Sequence, residues 1–311
     1  MSKRRTSSAV IVENINSLCF PVHRVDNPEW VNKKHQKIIV ALMPDPNNPK
    51  KNKRKLLNYA SSVYGLIPNS AIFPQIENVL NASNIAYNVT YKHVDNVEFY
   101  VDYRITDSRY TWKIEGTNDE IQMIISVQHS YDSSKKFKIF IGWFRFICNN
   151  GLVSPVKELE QYNMVMVVKH STVVHKVHEN INKLLLKIHN EAEDIITLVS
   201  RKFKTLADAV VTPDNFDKML EQTLKAAGIN AISNKNFNTY ENIKNRAIAE
   251  ANHPTLGYKG TLNEWLVYNA INQYINDDTL NVTNPETRRE NDSKVLEYLL
   301  KRHQKETEQI S

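Results

Sequence analysis

Residues 121–155 read IQMIISVQHSYDSSKKFKIFIGWFRFICNNGLVSP. Ile121 to Gln128 is rich in β-branched residues, and Phe137 to Cys148 is a second apolar, aromatic run. Between them His129 to Lys136 is polar, and Asn149-Asn150-Gly151 is a turn signal that stops the second run. Two such runs with a polar link predict a β-hairpin, closed by the Asn-Gly. The eight-residue link is too long for a tight turn, so a protruding loop is expected.

The pattern upstream agrees. Val97, Phe99, Val101, Tyr103 and Ile105 alternate onto one face, and Tyr110 to Ile114 is another short alternating run. Turns at Thr106-Asp107-Ser108 and Gly116-Thr117-Asn118-Asp119 separate these runs. Sequential strands with short links imply an antiparallel meander. After Pro155 the period changes. Val173, Val177, Ile181, Leu184, Ile188, Ala192, Ile195 and Val199 step by three or four, predicting a long amphipathic helix from about His170 to Lys202. Its regularity also suits a homo-oligomer contact. Thr212-Pro213 opens a further helix that Gly228 ends, and Tyr240 to Asn252 is another. Thr261-Leu262-Asn263-Glu264 reads as a capping box for a helix through Ile275, and a charged helix covers Thr287 to about Glu306. The fold class is therefore α+β: an antiparallel β-meander sheet packed by helices, then a helical C-terminal half. Strands and helices are segregated, which argues against a doubly wound parallel sheet.

The chain carries a formal charge of +6, unevenly placed. Residues 1–60 hold twelve Lys and Arg against four Asp and Glu, a surplus of eight, so the remainder is net acidic. Three prolines in Met43-Pro44-Asp45-Pro46-Asn47-Asn48-Pro49 mark a loop, followed directly by Lys50, Lys51, Lys53, Arg54 and Lys55. The division expected is a basic, loosely ordered arm over 1–55, an α+β core over 56–170 and a helical region over 171–311. Within the core, Leu56 to Tyr64 has helical spacing, and Ser70 would cap a helix over Ala71 to Leu80 with Pro74 in its first turn. Basic arms often meet nucleic acid. The hairpin loop adds Lys135, Lys136 and Lys138, and Arg145 lies on the second strand, so these four with the arm cations are the candidate phosphate contacts. The aromatic residues that interleave with them could stack bases or could equally be core.

No catalytic set is legible. His175 and His178 share a helix face but lack the spacing of a metallopeptidase, and an exposed polar face accounts for them. Asp132 with Ser133 and Ser134 is ordinary turn chemistry. No cofactor is expected; a divalent metal on Asp132, His129 and His170 is the weaker alternative. Cys19 and Cys148 make no disulfide framework, and Cys148 reads as a small core residue. No run of eighteen apolar residues exists, so no membrane span is expected. The apolar patch Ala9 to Val12 is too short for a signal peptide.

Four ordered blocks resemble the phage/plasmid-like family known as domain of unknown function 932. They are His129-Ser130-Tyr131-Asp132-Ser133-Ser134; Arg145-Phe146-Ile147-Cys148-Asn149-Asn150-Gly151; Lys169-His170-Ser171; and Trp265-Leu266-Val267-Tyr268-Asn269-Ala270 with Tyr274. The family's first block reads Asn-Ser-His-Asp-Gly-Ser, so its loop histidine is Tyr131 here and its glycine is Ser133. Asp132, Arg145, Cys148, Asn150, Gly151, His170, Trp265 and Asn269 keep the pattern. The resemblance implies a phage or plasmid origin and a place in the cytoplasm of a microbial host or in a virion. It supplies no activity. The function expected is a DNA-associated protein that binds single-stranded nucleic acid in replication, recombination or annealing. The alternatives are a metal-dependent enzyme acting on nucleic acid and a virion or assembly component.

Overall fold

The computed structural model of this chain describes residues 9–27, 36–45, 48–145, 150–152, 165–170, 172–228, 237–276 and 285–310. Their architecture is α+β, with antiparallel sheets built from the N-terminal half and most helices in the C-terminal half. After the short strand β1 (Val10–Val12), β2 (Val22–Asp26), β3 (Lys37–Asp45) and β4 (Asn48–Ala60) form a three-stranded antiparallel sheet in the order β2-β3-β4. Where it is described, the segment expected as a loose arm holds β1, which pairs with residues 91–93, a 3-10 helical turn at Ile15–Ser17, and β2, β3 and the first part of β4. The expected helix at Leu56 to Tyr64 is the end of β4. A bulge explains the misreading. Leu56 pairs with Val40 and Asn58 with Ile39, so Leu57 is an extra residue in the ladder. The extra residue puts Leu57 and Ala60 in the core, and that step of three imitates a helix.

The next element is α1 (Asn69–Ala82), which starts after Pro68 without a side-chain cap. Ser70 is inside it, and Pro74 lies in the helix body and not in the first turn. The meander follows as β5 (Tyr87–Val94), β6 (Glu98–Ile105), β7 (Thr111–Lys113), β8 (Glu120–Ser130) and β9 (Phe137–Arg145). The second hairpin strand stops at Arg145, and the chain returns as β10 (Asn150–Leu152), with Asn150 opposite Arg145. Then come β11 (Val165–Val168), α2 (Val174–Asp208), α3 (Pro213–Ala226), α4 (Phe237–Ala251), α5 (Glu264–Asn276) and α6 (Pro285–Ile310). The apolar stripe of α2, from Val177 to Leu206, is buried within the chain. No helix among the described residues is long and apolar enough to cross a membrane.

The chain divides into two compact units. The first lies within residues 1–105, 125–140 and 163–190. It holds the β2-β3-β4 sheet, α1, the start of α2 and the strand order β1-β5-β6-β8-β9, with β11 on β9. Phe99, Val101, Tyr103, Ile72, Phe73, Ile76 and Val177 are fully buried in it. The second lies within residues 106–124, 141–162 and 191–311, with strand order β7-β8-β9-β10 and helices α3 to α6. Its aromatic core runs from Trp143 to Trp112 (5.0 Å, edge-on), on to Phe203 (6.5 Å) and then Trp265 (4.6 Å). Helix α5 begins at Glu264, three residues beyond the expected cap. Asn263 caps it, accepting from the Leu266 amide at 3.0 Å, and Glu264 instead holds His303 at 2.9 Å.

Candidate nucleic-acid interface and two buried polar clusters

β2 pairs with β3 only from Lys37 to Ala41. Beyond that register β3 and β4 continue as a two-stranded ribbon, with Leu42 opposite Arg54 and Met43 opposite Lys53. Lys51, Lys53 and Arg54 fall on this extension, and Lys55 sits at its base, opposite Ala41. Lys51, Lys53, Arg54 and Lys55 are all exposed, with Lys53 and Lys55 on one face and Arg54 on the other; Lys50 belongs to the same strand. Lys55 donates to the Asp95 carbonyl at 2.9 Å, in the β5–β6 turn. Three residues further along β4, the Asn58 amide donates to the Tyr131 carbonyl (3.1 Å) and to the Ser133 hydroxyl (3.2 Å). The base of the ribbon is therefore tied to the hairpin loop.

That loop is residues 131–136, shorter than expected, because β8 runs on through Ser130. Asp132 accepts from the Ser134 amide at 3.0 Å and its hydroxyl at 2.6 Å, which is the turn chemistry read from the sequence. Ser133 sits at φ 64°, a left-handed conformation that glycine adopts freely; this accounts for glycine at that place in the family pattern. Lys136 is exposed, and Lys135 and Lys138 are half-buried. Among the described residues the aromatics of this hairpin are not a stacking platform; Phe146 lies outside them. Ile121 to Ser130 are all buried, and so are Phe137, Phe140, Trp143 and Phe144.

His129 and His170 come together in the first unit, with ring centroids 5.4 Å apart. His129 faces the Ile67 carbonyl through Nε2 at 2.9 Å, and His170 faces the Lys135 carbonyl at 3.0 Å. A carbonyl can only accept, so each Nε2 carries the proton. His170 also stacks on Tyr64 at 4.9 Å, and its carbonyl accepts from the Gly65 amide. The Tyr131 hydroxyl accepts from the Asn69 amide at 2.8 Å. Burial pushes the His129 imidazole down to about 3 and lowers His170 as well. These contacts lock the 64–70 segment between β4 and α1. Among the described residues no three His, Cys, Asp or Glu side chains gather as a metal-ligand set. His178 donates to the Ala71 carbonyl at 2.7 Å.

Arg145 does not join the exposed cations. Its side chain is fully buried in the second unit. Nε donates to both Asp119 oxygens at 2.7 and 2.8 Å, and NH1 meets Glu250. Tyr258 and Trp265 each donate to the same Asp119 carboxylate at 2.8 Å. A buried guanidinium must be paired, and here two carboxylates pair it. Asp102 and Glu98, on β6, are engaged elsewhere: Ser126 donates to Asp102 at 2.5 Å, and Tyr100 donates to Glu98 at 2.9 Å. Asp119, Glu250 and Tyr258 carried no local signal, because their role exists only where distant segments meet. Asn269 donates to the Trp265 carbonyl at 2.7 Å. Cys148 lies outside the described residues; Asn150 and Gly151 form β10 with Leu152. The four family blocks thus serve two buried clusters, His129 and His170 in the first unit and Arg145 and Trp265 in the second.

A family model described as domain of unknown function 932 matches residues 56–302. No curated protein and no solved structure matches the chain.

Proposed function

We propose that this chain, which belongs to the family of domain of unknown function 932, binds nucleic acid through the phosphate backbone, with the β3–β4 ribbon as the contact. The observation that carries this reading is the coincidence of the basic run with the two-stranded extension. Lys51, Lys53 and Arg54 are exposed together on the two-stranded stretch, and Lys55 is exposed at its base. A two-stranded β-ribbon fits a DNA groove, and cations at its rim release counterions from phosphates. Lys136 of the hairpin loop adds to the same unit. The setting proposed is a mobile element, in replication, recombination or annealing of strands.

Lysines on an edge strand also have a purely protective use, since they keep sheets from pairing edge to edge. A salt series separates the two. Labelled single-stranded and duplex oligonucleotides are titrated with the wild type and with a Lys51→Glu, Lys53→Glu, Arg54→Glu variant. Salt-dependent binding is expected, with the variant's log–log slope lowered by roughly 2–3 for three lost phosphate contacts. Binding that is absent at low salt, indifferent to salt or unchanged in the variant overturns the reading.

A further inference from the structure

The β2-β3-β4 sheet buries one face along its length, and on the other, among the described residues, only the central Val40, opposite Leu56, is buried. Val22, Ile39, Ala41, Leu57 and Ala60 are buried on the first face. Residues directly opposite in an antiparallel pair share a face. Tyr59 is opposite Ile38, and Ile38 is opposite Val25; Leu42 is opposite Arg54. The bulge at Leu57 keeps Leu56 and Tyr59 on this same outward side as Arg54, although Tyr59 is an odd number of residues from both. Tyr59 is 52% exposed, Leu56 46% and Val25 42%, and Ile38 and Leu42 are half-buried. The result is a largely open apolar sheet face with one aromatic ring and Arg54 on the same side, while Lys53 and Lys55 project from the opposite face of the ribbon. Such an exposed patch calls for an occupant. The Arg54 guanidinium on this side selects an anion, and the flat apolar surface selects one with unstacked planar groups.

We infer that this face takes the unpaired bases of a single strand, with Tyr59 stacking a base while Arg54 holds a flanking phosphate. The inference rests on the ribbon reading above and adds the substrate class to it. A duplex hides its base faces in its own stack and could use the cations alone. The bases of a free strand can splay onto an aromatic side chain. The buried aromatics of β9 cannot do this, so Tyr59 is the stacking residue.

The test compares a short oligothymidylate with an abasic strand of equal length and equal phosphate number, and with a duplex. The wild type should bind the oligothymidylate roughly tenfold or more tightly than the abasic strand. Tyr59→Ala should lose most of that margin and leave duplex and abasic binding within about twofold, while Tyr59→Phe should keep it. Equal wild-type affinity for the base-bearing and abasic strands overturns the inference and leaves the ribbon reading standing if salt dependence persists. Loss of all salt-dependent binding removes both. Should sedimentation show a dimer that Tyr59→Glu dissociates, the face belongs to a second copy, and the inference fails.

Discussion

At the scale of single residues, burial decides between look-alike roles. Arg145 and Arg54 are both arginines on strands, yet one is fully buried and doubly paired and the other faces solvent. The sequence places Arg145 on a strand face with Ile141 and Trp143, where it must either meet a carboxylate or face a ligand groove. Which carboxylate was beyond it, because Asp119 and Glu250 reach the site from a turn and from α4. Removing the guanidinium leaves the Asp119 charge buried with only Tyr258 and Trp265 as donors. Arg145→Ala should therefore cost about 3–5 kcal/mol of stability, read as a drop in the urea midpoint. Nucleic-acid affinity measured well below that midpoint should not change. A variant as stable as the wild type would show that the network contributes nothing to the fold.

At the scale of elements, local irregularities misled the sequence reading more than periodicity did. β4 looked helical because one inserted residue turns a step of two into a step of three. α1 was placed correctly, but Pro74 falls beyond the first turn, where it removes an amide donor and crowds the carbonyl of Ser70. The helix tolerates this because Ile72, Phe73, Ile76 and Leu80 are buried at helical spacing. Pro74→Ala should restore the missing bond and raise stability by about 2–3 kcal/mol, the proline penalty less the entropy that proline removes from the unfolded chain. Thermal denaturation monitored by circular dichroism checks it; a lower melting temperature would mean that the ring is needed for packing.

At the scale of the whole molecule, the two units should respond to acid in opposite senses. His129, in the first unit, is held neutral down to about pH 3. Below its ordinary 6.5 the unfolded chain binds a proton that the fold refuses, so stability is lost as pH falls, at up to ~1.4 kcal/mol per pH unit. His170 acts in the same direction. Asp292, in the second unit, is pushed up by burial from 3.8 to about 6, with Asn272 donating to it at 2.7 Å. Its fold carries a neutral acid that the unfolded chain would ionise. That contribution is present below about pH 4 and is lost as pH rises through 6, on the order of 3 kcal/mol in all. Hydrogen exchange at pH 7.5 and 5, corrected for intrinsic rates, should show β5 and β6 losing protection at the lower pH while α5 and α6 gain it. Asp292→Asn should abolish the gain. Parallel shifts in both units would refute the assignment.

The sequence by itself determined the class of the fold, the long α2 helix, the meander and the turn chemistry at Asp132. Each depends on spacing within a few residues, and alternation or a 3.6 period can be read without knowing what lies opposite. It also located the basic run. Only the tertiary structure decided that this run is a ribbon and that the β9 aromatics are core. It likewise decided that His129 pairs with His170 and Arg145 with Asp119 and Glu250, and that Tyr59 stands on an open face. Those facts depend on which segments meet, and burial and pairing belong to both partners of a contact, so neither segment states them alone.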